Sequence, residues 1–248
     1  MKRPYLLGFV RGCTDLPCEA PLFTKLTTVG DHSVIWCGSP RETFATKQDF
    51  LSAMLLWFEQ IRHLQLTVLP IQSGVSVSNV VHLMEFLSTY QRELDLCFDR
   101  VEGCSEYCLT IPHSNQELTH LSYSSLRENV QGGKEYLERV RVWHQLVERE
   151  VLKAQEVISD FRSRLTPWIK DCWSETPQAR GNGINLGFLV PNTYQQEFVH
   201  ELEALLEEIN ITDEWTGPWF PFHFSSFSIK PESFLIHESL NWGKGVSS

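Results

Sequence analysis

Apolar side chains recur at intervals of three and four through four stretches of the chain, and short β-type blocks lie between them. From Lys47 to Leu64, Phe50, Leu51, Met54, Leu55, Phe58, Ile61 and Leu64 fall on one face of a helix, with Thr43 or Thr46 placed to cap it. Val80, Met84, Leu87, Leu94, Phe98 and Val101 line a second helix that stops at Gly103, the residue type that best accepts a left-handed helix end. Tyr136, Val140, Trp143, Val147, Val151, Ala154, Ile158, Phe161, Leu165 and Trp168 step by fours and threes, which predicts one long helix with a single apolar seam. At 1.5 Å per residue that helix reaches about 48 Å, enough to brace two bodies or to present its seam to a partner. Thr193 to Ile209 repeats the pattern with Tyr194, Phe198, Leu202, Leu205, Leu206 and Ile209.

The β-type blocks order themselves around these helices. Tyr5–Val10 reads as a first strand, and Phe23–Val29 with Ser33–Cys37 reads as a hairpin turning through Gly30 and Asp31. Thr67–Ile71, Cys104–Ile111 and Asn185–Val190 are further strands, and Asp213–Trp215 approaches another. The fold class is α+β in two bodies. The first, residues 1–111, is a ferredoxin-like antiparallel sheet with an extra strand, covered on one face by two helices. Residues 112–132, with Pro112, Asn115, several serines and Gly132-Gly133, are a linker. Residues 133–227 hold the long helix and a second small α+β domain, broken at Thr176–Gly183, and 228–248 form a C-terminal tail.

Composition narrows the classes of function. The chain has 248 residues, 42% apolar and 21% charged, with a mean hydropathy of −0.20, which excludes a disordered or fibrous chain. The formal charge is −10, and residues 181–248 carry two basic side chains against nine acidic ones, so nucleic acid and anionic membrane surfaces are poor partners. The longest apolar run, Ala53–Phe58, is far too short to cross a bilayer. Arg11 ends the run Tyr5–Val10 before it reaches the length of a signal-peptide core. Seven cysteines without a C-x-x-C pair suit reduced thiols in a cytoplasm, which leaves Asn210-Ile-Thr an idle glycosylation match.

The residues offer no recognisable catalyst. There is no G-x-S-x-G elbow, H-E-x-x-H helix or Walker loop, and Gly181-Asn182-Gly183 meets Leu186 where a dinucleotide fingerprint needs its third glycine. Cys104 and Cys108 share one face of a strand, yet with Cys97, Cys13 or a histidine they lack paired zinc-ligand spacing and read as buried free thiols. His113, His120, His223 and His237 have no acid or nucleophile recognisably paired with them. No catalytic, cofactor-binding or metal-ligating residue is expected. Glu201, Glu203, Glu207 and Glu208 make an acidic stripe, either a solvated helix face or a docking surface for a basic segment. The segment Trp215–Phe224 crowds aromatics among Gly217, Pro218 and Pro221, and reads either as a rigid core-sealing corner or as an aromatic platform for a partner.

Gly217-Pro218-Trp219 followed by Pro221 and Phe224 resembles the G-P-W-P-P-Y-S-F signature of the gas vesicle accessory proteins GvpF and GvpL. Tyr5-Leu6-x-Gly8-Phe9-Val10 resembles that family's opening strand, and Val68-Leu69-Pro70-Ile71-x-x-Gly74 its central segment. Glu102-Gly103-x-x-Glu106-Tyr107 resembles the strand after its second helix, and Gly133-Lys134-x-Tyr136-Leu137 the start of its long helix. Phe188-Leu189-Val190-Pro191 with Phe198 resembles the family's second-body strand and helix, so the pieces keep the family's order from about residue 4 to 227. Phe220 replaces a proline, Phe222-His223 replaces Tyr-Ser, Gln72-Ser73 stand where Arg and Phe are usual, and the tail with Trp242 extends past the signature.

The resemblance implies a non-enzymatic accessory or minor structural component of gas vesicles, located in the cytoplasm and on the vesicle. Its implied partners are the hydrophobic shell protein of GvpA type and other gas vesicle accessory proteins, with no nucleic acid and no membrane. It would bind the shell protein, prevent its aggregation and assist vesicle nucleation, with the signature residues or the acidic stripe as contact surfaces. The residues alone leave another reading open, a ferredoxin-like small-molecule sensor or enzyme using a cleft between the two bodies.

Overall fold

Tyr5–Val10 is buried at every position, so the first strand cannot be the half-solvated strand of an open sheet: both of its faces carry core. The computed structural model describes residues 4–13, 24–38, 40, 44–63, 66–71, 75–111, 130, 132–175, 184–210, 215–225 and 235–237. Gln72, Ser73, His113, His120, Gly181–Gly183, Trp242, most of the proposed linker, the break at 176–183 and most of the tail lie outside the described residues. The chain divides into two units, Met1–Cys104 with Phe220–Ser248, and Ser105–Trp219.

In the first unit, β1 (Tyr5–Arg11) pairs antiparallel with β3 (His32–Cys37), which pairs with β2 (Lys25–Val29) through the hairpin expected at Gly30. On its other edge β1 meets β4 (Val68–Pro70) and then β5 (Val75–Val77), and β5 carries β10 (Leu235–His237), giving the order β10-β5-β1-β3-β2 with β4 beside β1. A bulge between Leu6 and Gly8 re-aims β1. Tyr5 meets Phe50 edge-on, whereas Phe9, four residues on, stacks against Phe86 on the opposite side.

Helix α1 (Lys47–His63) begins at a reciprocal cap in which the Thr46 amide and hydroxyl donate to Asp49 Oδ2 while the Asp49 amide donates to Thr46 Oγ1. Its Phe50, Met54 and Ile61 pack with Tyr5, Leu7, Ile35, Cys37 and Val68. Helices α2 (Val80–Thr89) and α3 (Gln91–Val101) cover the other face, where His32, three residues before Ile35 on a regular strand, lies against Phe98. The helices therefore lie on opposite faces of the sheet rather than on one. The second predicted helix is two helices, broken at Tyr90. The buried face of α2 is Leu83, Phe86 and Leu87, which leaves Met84 about a quarter-turn off it and exposed, while Leu94, Phe98 and Val101 are buried as their spacing predicts.

The second unit holds a four-stranded sheet in the order β7 (Asp171–Glu175), β8 (Ile184–Pro191), β6 (Cys104–Ile111), β9 (Trp215–Trp219). The local pattern predicts Cys104–Ile111 as a strand of the N-terminal sheet, but its ladder partners come from the second half of the chain, which short-range pattern does not encode. Likewise β10 makes part of the proposed tail a strand of the first sheet. Helix α4 (Gly133–Leu165) is continuous over 33 residues and about 50 Å long. Its Ala154, Phe161 and Leu165 join Phe198, Leu202, Leu205 and Leu206 of α5 (Gln195–Glu208) over Tyr107, Leu109, Ile184, Leu186 and Phe188. Tyr136, Val140, Trp143 and Val147, earlier on the seam, are only half-buried. Ser105 Oγ donates to Asn192 Oδ1 at 2.9 Å and accepts from Gln195 Nε2 at 3.0 Å, tying the start of β6 to the start of α5.

Candidate functional site

Strand β9 is the edge of the second sheet, and its register sets Trp215 opposite Leu109, Thr216 opposite Cys108 and Trp219 opposite Glu106, with a bulge in β9 itself, where Gly217 and Pro218 together face Tyr107. At the bulge the β9 backbone lies directly on β6. A Cβ on Gly217 would sit 2.8 Å from Tyr107 Cδ1 and 2.9 Å from the Glu106 carbonyl oxygen, and the residue has φ +142°, so only glycine fits. The Gly217-Pro218 peptide is cis. Trp215 packs against the second core and lies 5.9 Å from the Tyr107 ring.

Beyond the bulge the aromatic residues divide. Trp219 is 38% exposed, and its indole N–H donates to Thr216 Oγ1 at 3.0 Å, which holds the ring over its own strand. Phe222 is 43% exposed. Pro221 and Phe224 are buried, Arg100 lies over the Phe224 ring at 5.9 Å, and the Ser225 amide donates to the Pro221 carbonyl to close the turn. The segment thus holds residues of both kinds the sequence left open: Pro221 and Phe224 seal core, while Trp219 and Phe222 face solvent.

The acidic stripe is divided in the same way. Arg164, at the end of α4, donates through Nη2 to Glu201 at 2.9 Å and through Nη1 to Glu208 at 2.6 Å. The guanidinium holds the Glu208 carboxyl below its ordinary range, and the two carboxylates push Arg164 further up. Glu203 and Glu207 are exposed, so the outward acidic pair is narrower than the predicted four. Cys104 and Cys108 are both half-buried on β6, and burial, reinforced by Glu106, pushes the Cys108 thiol up to about 12. Burial pushes Cys37 up to about 12 as well. His223 is exposed.

Several polar residues escaped the sequence reading. Glu106, 1% exposed in mid-strand, accepts from Trp173 Nε1 and from Cys108 Sγ, each at 3.4 Å. The Trp173 indole lies flat on its cross-strand neighbour Gly187, where a Cβ would fall 1.9 Å from Nε1. A carboxylate amid C-S-E-Y-C-L-T-I and a glycine inside I-N-L-G-F-L-V were the available signals. In the first unit Arg11 donates to Asp99 at 2.7 Å, pairs with Glu102 and lies over the Phe98 ring at 5.3 Å, binding β1 to α3.

The profile of the family described as gas vesicle synthesis protein GvpL/GvpF matches residues 25–226. The fold is similar to the crystal structure of the gas vesicle protein GvpF from Anabaena sp. PCC7120, with a TM-score of 0.67 and 17% identity over 92% of this chain and 100% of that one. It is also similar to GvpF from Microcystis aeruginosa, with a TM-score of 0.63 and 17% identity over the same shares of the two chains. No curated protein sequence matches significantly.

Proposed function

We propose, for a chain that belongs to the gas vesicle synthesis protein GvpL/GvpF family, that it is a non-catalytic accessory protein of gas vesicles that binds the hydrophobic shell protein and keeps it from aggregating until it is assembled. The observation that carries the reading is Trp219. It belongs to the signature through which the sequence resembles the family, yet 38% of it faces solvent. Its ring is fixed by the bond to Thr216 and by the edge strand that bears it. A large apolar ring held in place at low entropic cost is a common anchor for a partner's apolar surface. The exposed carboxylates of Glu203 and Glu207 supply a second, polar contact suited to a basic segment.

Co-expression with a GvpA-type shell protein, followed by affinity capture of this chain, tests the proposal. Capture by wild type and its loss in Trp219→Ala, with the melting temperature of the second unit lowered but the fold kept, supports it. No capture by wild type, or equal capture by Trp219→Ala and by the Glu203→Lys/Glu207→Lys pair, contradicts the assignment of these surfaces.

A further inference from the structure

Strand β5 is held more by β10 than by β1. Among the described residues its one register pair with β1 is Tyr5↔Ser76, supplemented by the Val77 amide donating to the Pro4 carbonyl at 3.0 Å. With β10 it makes three antiparallel pairs, Leu235↔Val77, Ile236↔Ser76 and His237↔Val75. Val75, Ser76 and Val77 are all at most 3% exposed, and among the described residues the strand order ends at β10. Without β10, Val75–Val77 would be an open edge of unpaired amides and carbonyls, a template for strand addition.

We propose that Leu235–His237 is exchangeable and that its seat on Val75–Val77 takes the same segment from a second copy of this chain. The occupant is identified by the seat itself, because the antiparallel register made within the chain is available unchanged to the identical segment of another chain. Among the described residues three pairs hold the strand, so its release breaks few of the bonds seen there. Residues 226–234 connect it to Ser225 and can extend to about 30 Å, which allows the strand to be donated rather than returned. Reciprocal donation is two-fold symmetric, leaves no bare seat and closes at a dimer. The contacts are the same in either arrangement, so protein concentration decides between them. The inference is independent of shell-protein binding.

The full-length chain is concentrated, warmed and cooled, and its mass measured by light scattering on gel filtration. Wild type should show a dimer fraction that rises with concentration and decays slowly on dilution, while Ile236→Pro, which removes the central N–H of β10, should stay monomeric. A synthetic peptide of residues 228–248 should slow amide exchange at Val75–Val77 in the full-length Ile236→Pro chain by about 10-fold or more, and the same peptide carrying proline at 236 should not. Wild type that stays monomeric at every concentration, a dimer that Ile236→Pro forms equally well, or a peptide that gives no protection overturns the proposal. Should Ile236→Pro unfold, excess wild-type peptide added to the wild-type chain decides the matter: it should suppress the dimer, and an unchanged dimer fraction overturns the exchange.

Discussion

Replacing Trp219 and Phe224 separately by alanine should split the signature into an exposed part and a structural part. Phe224 is 2% exposed, so its truncation removes a fully buried ring and leaves a cavity, a loss of about 4 kcal/mol. Trp219 keeps 38% of its surface in water. For a tryptophan of about 250 Å², roughly 150 Å² is covered, worth nearly 4 kcal/mol at about 25 cal/mol per Å² before the share that alanine retains is subtracted. The net loss should be about 2 to 3 kcal/mol, including the exposed indole bond to Thr216. Because the two residues belong to different units, a single unfolding free energy is not the right measure. Hydrogen exchange followed by mass spectrometry reads them apart. Phe224→Ala should speed exchange in α3 by about 1,000-fold, and Trp219→Ala should speed exchange in β6 and β8 by about 30- to 150-fold. Trp219→Phe, which keeps an aromatic ring but loses the pyrrole half of the indole with its N–H, should change exchange by less than about 10-fold. If Trp219→Ala matches or exceeds the loss from Phe224→Ala, Trp219 is a packing residue and its exposure is not what distinguishes it.

Gly187→Ala should drive the Trp173 indole off its strand and break its bond to Glu106, which near-ultraviolet dichroism and lost amide protection in β7 would report; an unchanged indole signal contradicts the close approach. Cys37 and Cys108 should resist alkylation at pH 8 in the native protein and react fully in denaturant, and since their folded pKa values lie above the ordinary thiol value of 9, they make stability fall between about pH 9 and 12; fast native labelling refutes this. Arg164 holds the Glu208 carboxyl below its ordinary value of 4.5, so its stabilisation is present above that pH and lost as pH falls through the lower, folded value. Arg164→Gln should therefore flatten the acid limb of a stability–pH curve, and an identical limb would show that the pair does not act in solution.

Much of the fold was legible where periodicity is local. The α4 seam and the α5 face extend over enough turns for their period to identify them, and the hairpin at Gly30 carries its own turn signal. What escaped depends on distant partners. Cys104–Ile111 looks the same whether it closes the first sheet or centres the second, and Leu235–His237 carries no strand pattern of its own until Val75–Val77 gives it an edge. A one-residue bulge at Leu6–Gly8 was enough to send Tyr5 and Phe9 to opposite cores, and the buried face of α2 runs through Leu83, Phe86 and Leu87, one position away from Met84. Within the candidate site, the motif named the residues but not their exposure. Whether Trp219 or Phe224 is buried follows from where the backbone turns at Pro221, and the acidic stripe is cut by Arg164, forty-four positions from Glu208.

Diluting a denatured GvpA-type shell protein into buffer with and without this chain, and following light scattering, tests the central claim most directly. Wild type should suppress scattering up to a fixed stoichiometric ratio, and Trp219→Ala should do so only at several-fold excess. Scattering that develops identically with and without the wild-type chain contradicts a role in holding the shell protein.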